Sequence, residues 1–189
     1  MIGTFPVRSA RFRSELSLLL IVAASAIFAV CVFAKSADDR KAKEPAPRFN
    51  ATTTAGEKFN NNSIKGRVVL LEFWTTWCGY CGQELPFVER LNQEFGGKGL
   101  IVLAINVGES KKTVKKYLEQ HSRKTRIVLT DDTNLAAMFA AKSYPIYVVI
   151  DREGNIAGKQ DGAAGESALR ELVASGGLEG LKDDPDDDK

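Results

Sequence analysis

Histidine and cysteine are scarce in this chain: a single histidine, His121, and three cysteines in 189 residues. Three cysteines exclude a scaffold held by several disulfides, and one Cys-x-x-Cys pair excludes a zinc ribbon built from two such knuckles. The only histidine is far along the sequence from Cys78 and Cys81, so the pair reads as redox rather than metal-binding, and no metal or other cofactor is expected. His121 itself reads as an exposed surface residue. Net charge is small too. The balance of 26 basic and 24 acidic residues, +2 overall, predicts neither nucleic-acid binding nor an acidic substrate. There is no internal repeat, and a hydrophobic content of 44% suits one core and one domain.

One long run lacks charge altogether. Leu16 to Ala34 is largely apolar, preceded by Arg8, Arg11 and Arg13 and closed by Lys35. At about 1.5 Å per residue it just crosses a bilayer core of roughly 30 Å. The arginines of residues 1–15 would stay in the cytoplasm and place the remainder outside. The run reads as an uncleaved anchor; the alternative is a signal sequence cleaved at Val32-Phe33-Ala34. Cys31, within it, reads as a small apolar residue of a membrane helix, because Phe28-Ala29-Val30 is a poor lipobox. Residues 35–48, with mixed charges, Pro45 and Pro47, read as a linker.

The chain is organised around Val68 to Pro86. Val68 to Trp74 is apolar at every position except Glu72, as expected of a strand covered on both faces. From Cys78 the pattern changes: Cys81, Leu85, Val88 and Phe95 recur at helical spacing until Gly96-Gly97. Cys78 therefore lies where strand gives way to helix. There, unsatisfied backbone N–H groups and the helix dipole favour a thiolate, which makes Cys78 a nucleophile. Cys81, one turn later on the inward face, is positioned to attack a mixed disulfide formed at Cys78. Glu72 is a carboxylate in a buried strand, where desolvation raises its pKa unless it is paired.

Before this centre, Phe49 to Lys65 predicts a short hairpin turning at Ala55-Gly56-Glu57. After it, Leu100 to Val107 is a second apolar strand, which with the intervening helix implies a parallel βαβ unit. Lys111 to His121 reads as an amphipathic surface helix with Val114, Tyr117 and Leu118 inward and lysines on a solvated face. Ile127 to Leu129 reads as a strand, and Asn134 to Ala141 as a short helix after cap candidates Asp131-Asp132-Thr133. Ile146 to Ile150 and Ile156 to Lys159 form an antiparallel pair around Asp151 to Asn155. Glu166 to Val173 closes the domain, taken as residues 49–175, and residues 176–189 read as a disordered acidic tail.

Glu72-Phe-Trp-x-x-Trp-Cys-x-x-Cys81, with Glu84-x-Pro86 after it, resembles thioredoxin-fold proteins, most closely the membrane-anchored thiol-disulfide oxidoreductases of the TlpA/ResA group. The resemblance spans roughly Phe49 to Val173. It implies an α/β fold with a mixed central sheet flanked by helices, preceded by the hairpin. It also implies exchange between Cys78, Cys81 and the disulfides of exported proteins, apocytochrome c among them, with a membrane thiol electron donor as partner. In thioredoxin-like proteins an acidic residue at the place of Glu72 exchanges a proton with the resolving cysteine. The alternative for Glu72 is a carboxylate reaching solvent at the sheet edge.

Tyr144-Pro145 matches the cis-proline that faces the cysteines in this fold, with adjoining backbone that pairs with substrate. Trp77, Tyr80, Glu84, Tyr144 and Pro145 are the candidate substrate-binding residues, Glu84 being alternatively first-turn support for the helix dipole. Pro86 predicts a kink. Gly79-Tyr80 between the cysteines departs from the proline-containing dipeptide of the group, which leaves the direction of electron flow open. Other readings are a disulfide-forming oxidant and a copper(I) chaperone using both thiolates. Thr75-x-x-Cys78 also resembles the end of a peroxiredoxin motif, but Leu71 stands where that motif carries proline.

Overall fold

The computed structural model describes residues 43–178. Expectations for residues 1–42 and 179–189, including the basic segment and the run 16–34, lie outside the described residues. Among the described residues no helix is long and apolar enough to cross a membrane.

Seven strands form one mixed sheet in the order β2-β1-β5-β4-β3-β6-β7. β1 (Asn50–Thr53) and β2 (Lys58–Asn60) are the expected hairpin, antiparallel with Ala51 opposite Phe59. β3 (Val68–Trp74) and β4 (Leu100–Asn106) pair in parallel along their whole length, joined by α1 (Gly79–Phe95). α2 (Lys111–Gln120) leads to β5 (Arg126–Thr133), which pairs in parallel with β4. After the short α3 (Leu135–Met138), β6 (Ile146–Ile150) lies antiparallel to β3, and β7 (Ile156–Asp161) antiparallel to β6. α4 (Gly165–Ala174) closes the domain. This is the expected α/β thioredoxin-like fold.

The two-residue period of the strands divides the core. Val69, Leu71 and Phe73 of β3 pack with Ile101, Leu103 and Ile105 of β4, beneath Phe49, Ile64 and Leu135. Val68 and Leu70 face the other way, against Val88, Leu91 and Phe95 of α1 and Leu169 and Val173 of α4. At the carboxyl end of β3, Trp74, Cys78 and Cys81 join Val114 of α2 in a third cluster. The reactive pair thus sits at the strand ends, between α1 and α2.

Several boundaries differ from expectation, β7 among them, which runs on to Asp161. β5 runs from Arg126 to Thr133 because β1 adds to its outer edge, pairing Thr53 with Val128 and Ala51 with Thr133. Asp131 and Asp132 are therefore strand residues; only Thr133 acts as expected of a cap, its Oγ1 accepting from Leu135 N at 3.2 Å. α3 stops at Met138, and Ala140 takes φ 47°, a left-handed conformation incompatible with helix continuation.

The end of the expected linker is docked: Ala46 N donates to Gly154 O at 3.0 Å, Ile156 N donates to Glu44 O at 2.7 Å, and Lys43 Nζ pairs with Asp151 at 2.8 Å. At the other end, Gly176, Gly177 and Leu178 belong to the packed domain rather than to a tail. Leu178 is buried with Val68 and Val173, and any Cβ on Gly176 would come within 2.7 Å of Val68 Cγ1.

Candidate active site

Cys78 is the N-cap of α1, in extended conformation, and its Sγ accepts from Cys81 N at 3.1 Å. A sulfur in this position receives a backbone donor and meets the positive end of the helix, both of which stabilise a thiolate. No acidic residue lies in the first turn to oppose it. Cys78 and Cys81 are joined as a disulfide with Cα atoms 5.3 Å apart. Both are largely covered, so the pair is presented at the surface chiefly through its neighbours.

Those neighbours are the aromatic residues singled out in the sequence. Trp77 and Tyr80 are 71% and 65% exposed, the two most exposed large apolar side chains among the described residues. Trp77 meets Tyr144 edge to face at 5.7 Å, and Tyr144 packs against the cluster that holds both cysteines. The Tyr144–Pro145 bond is cis, as expected. Trp74 is buried, as its place in the strand predicted.

The loop before Cys78 is pinned from β4 and the turn after it. Glu109 accepts from Thr76 N at 2.7 Å, Thr76 Oγ1 at 2.5 Å and Asn106 Nδ2 at 2.7 Å. His121, exposed as predicted, stacks on Tyr117 with ring centroids 4.1 Å apart. It lines, with Tyr117, Thr76, Trp77, Gln83 and Cys78, a cleft of about 470 Å³ between α1 and α2.

Glu72 is fully buried on an interior strand, which removes the edge alternative. It faces the α1 side of the sheet and meets a partner that sequence reasoning missed. Arg123, in the loop between α2 and β5, has a side chain 2% exposed and places Nη2 2.5 Å from Glu72 Oε2. The guanidinium also lies over the Trp74 ring at 4.7 Å, a cation–π contact. Glu89 of α1 fastens the loop: its carboxylate accepts from Lys124 N at 2.9 Å and from Thr125 N at 3.1 Å. Burial raises the Glu72 pKa, and Arg123 only partly offsets it. The other carboxylate oxygen, Oε1, has no hydrogen-bond partner among the described residues, which leaves the anion incompletely compensated. No periodicity marks Arg123, because it reaches Glu72 only across the fold. An unpaired carboxylate in a core strand was the one available signal that a buried cation should exist.

Glu84 corrects both of its expectations. It lies past the first turn of α1, 2% exposed, and so neither supports the dipole nor lines the groove. Instead its carboxylate accepts from Ala164 N at 2.7 Å, Gly165 N at 2.6 Å and Tyr147 Oη at 2.8 Å, tying α1 to the start of α4. Burial, with the Glu72 and Glu84 carboxylates adding to it, pushes the Tyr147 hydroxyl far above its usual range, so it stays a donor. Pro86 sits within α1, which continues through it to Phe95.

Residues 42–159 match the AhpC/TSA family model. The chain belongs to the AhpC/TSA family. This AhpC/TSA protein is 28% identical over 161 residues to the thiol-disulfide oxidoreductase ResA of Bacillus subtilis, covering 85% of this chain and 89% of that one. It is 35% identical over 132 residues to the thioredoxin-like protein YneN of the same organism, covering 68% and 75%. A solved thiol:disulfide interchange protein of Chlorobium tepidum superposes with a TM-score of 0.61 at 25% identity, covering 70% of this chain and 94% of that one. The resemblance read from the motif around Cys78 and Cys81 therefore holds: the AhpC/TSA protein is a thiol-disulfide oxidoreductase of the ResA-like kind.

Proposed function

We propose that the protein reduces disulfides of exported proteins on the outer side of a bacterial inner membrane, anchored through residues 16–34. The observation that carries the reading is Cys78 at the α1 N-cap, its sulfur held by a backbone N–H, with Cys81 behind it in the same helix. In the reduced protein the Cys78 thiolate attacks one sulfur of a substrate disulfide; the other leaves as a thiolate, and a mixed disulfide forms. Glu72, buried on the α1 side of β3, takes the Cys81 proton. Cys81 then attacks Cys78 Sγ and expels the second substrate thiolate, which receives a proton. Two electrons pass to the substrate, and the protein is left with the Cys78–Cys81 disulfide. A membrane dithiol donor restores the reduced form, because the surrounding compartment is oxidising. Trp77, Tyr80 and the Tyr144–Pro145 segment are the substrate-facing surface, with apocytochrome c as one substrate implied by the resemblance to the TlpA/ResA group.

The reverse direction, disulfide formation, uses the same atoms, and the potential of the pair decides between them. Equilibration of the protein with glutathione or dithiothreitol measures it. A value at or below about −230 mV is expected for a reductant, whereas one near about −120 mV would make the protein an oxidant and overturn the reading.

A further inference from the structure

The cleft beside Cys78 does not end at His121. Through Thr76 and Tyr117 it adjoins a second depression of about 360 Å³, lined by Lys112, Thr113, Lys116 and Gln120 of α2. Lys112 and Lys116 are one helical turn apart, so they share one face of α2, and both are exposed. Near the thiol the floor is bare: a Cβ on Gly79 would meet nothing within 4 Å, and one on Gly82 only Tyr117 Oη at 4.0 Å. The amino end of α1 opens onto this floor and adds its positive potential. Neither depression has a carboxylate in its lining. Glu109, which precedes α2, accepts three hydrogen bonds, two from Thr76 and one from Asn106. Glu119 is the one acid of α2, and it lines neither depression.

We infer that this continuous groove is a specificity site for an extended polypeptide segment carrying aspartate or glutamate a few residues from the cysteine that Cys78 attacks. The inference rests on the reductase reading and names the substrate class. Charge complementarity selects the occupant: aromatic walls at Trp77 and Tyr117 hold an extended chain, and the lysines take its carboxylates. The total charge of +2 conceals this patch because it averages over the chain, including the aspartates at 183, 184, 186, 187 and 188. A near-neutral total therefore does not exclude an acidic substrate segment.

The test uses the reduced protein with three disulfide peptides that share one core and differ only in flanking residues: acidic, neutral or basic. The acidic peptide is expected to show a kcat/KM about three- to ten-fold above the neutral one, through KM, with the advantage shrinking as salt rises. In the Lys112→Glu/Lys116→Glu variant the acidic-to-neutral ratio is expected to fall below one. Equal kcat/KM for all three peptides, or a salt-independent preference in the wild type, would sink the inference. A parallel titration uses the acidic peptide with serine in place of both cysteines and follows tryptophan fluorescence. If no peptide is reduced but this one binds in a salt-sensitive way, the reductase reading fails and the groove stands. If all peptides are reduced alike and the serine peptide does not bind, the groove fails and the reductase reading stands.

Discussion

Arg123 and Glu72 form an ion pair with almost no access to water, side chains 2% and 0% exposed, and much of the site's electrostatics depends on them. Removing one member strands the other. Arg123→Met is expected to cost about 3 kcal/mol, while Glu72→Leu/Arg123→Met together recover most of it, because an apolar pair carries no desolvation penalty. Urea melts of the two variants check this. The single variant should also push the Glu72 carboxyl further up, moving the pH dependence of mixed-disulfide resolution to higher pH. Glu72→Gln tests the proton role directly: resolution should slow and lose its pH dependence, which stopped-flow fluorescence measures.

The sign of the linkage is fixed by the raised pKa. The folded protein holds the Glu72 proton more tightly than the unfolded chain, so this group's contribution is complete below about pH 4.5 and is lost as pH rises through the folded value. Glu72→Gln should flatten that slope.

At the scale of elements, the segment before β1 behaves as a strap over the β6–β7 turn. Asp151 is the buckle: its carboxylate accepts from Asn155 N at 2.8 Å, Glu153 N at 3.1 Å and Lys43 Nζ at 2.8 Å. Burial alone would lift its pKa, but the hydrogen bonds from Lys43 and Asn155 outweigh this and hold it below the ordinary value of 3.8. A depressed carboxylate stabilises the fold above its unfolded pKa and stops doing so as pH falls through the folded one. Asp151→Asn keeps one acceptor oxygen for the turn and loses the bond to Lys43. It should lower stability at neutral pH, and its difference from wild type should vanish on acidification; denaturation at several pH values measures both. Faster amide exchange at Ala46 and Ile156 in the variant would locate the loss in the strap.

Neither the strap nor the extended β5 was legible in the sequence. Lys43 to Arg48 has no periodicity of its own, and Asp131 and Asp132 are weak strand formers carried into β5 by its pairing with β1. By contrast β3, β6 and α1 carry strong periodic or continuous apolar patterns, and their observed limits match those patterns.

For the whole molecule, the packing reaches at least as far as Leu178, which is buried. A chain ending at Leu178 is the reference for a shorter one. One ending at Ser175 should lose about 2 kcal/mol, the cost of exposing a buried leucine side chain, together with the contact of Gly177 O with Arg152 at 3.4 Å. Thermal unfolding of the two truncations decides this, and unchanged stability on removing residues 176–178 would return them to the tail.

At this scale the division between sequence and tertiary structure is clear. Sequence alone determined the α/β order and the place of Cys78 at the strand-to-helix junction, since each follows from local pattern: period, run length, and the residue types at a helix start. Only the tertiary structure decided that Glu72 lies on an interior strand and pairs with Arg123, that Glu84 caps α4, and that Lys112 and Lys116 of α2 line the depression next to the cleft that holds Cys78. Those relations join residues distant along the chain, and side-chain pairing across a folded core leaves no period in the sequence to read.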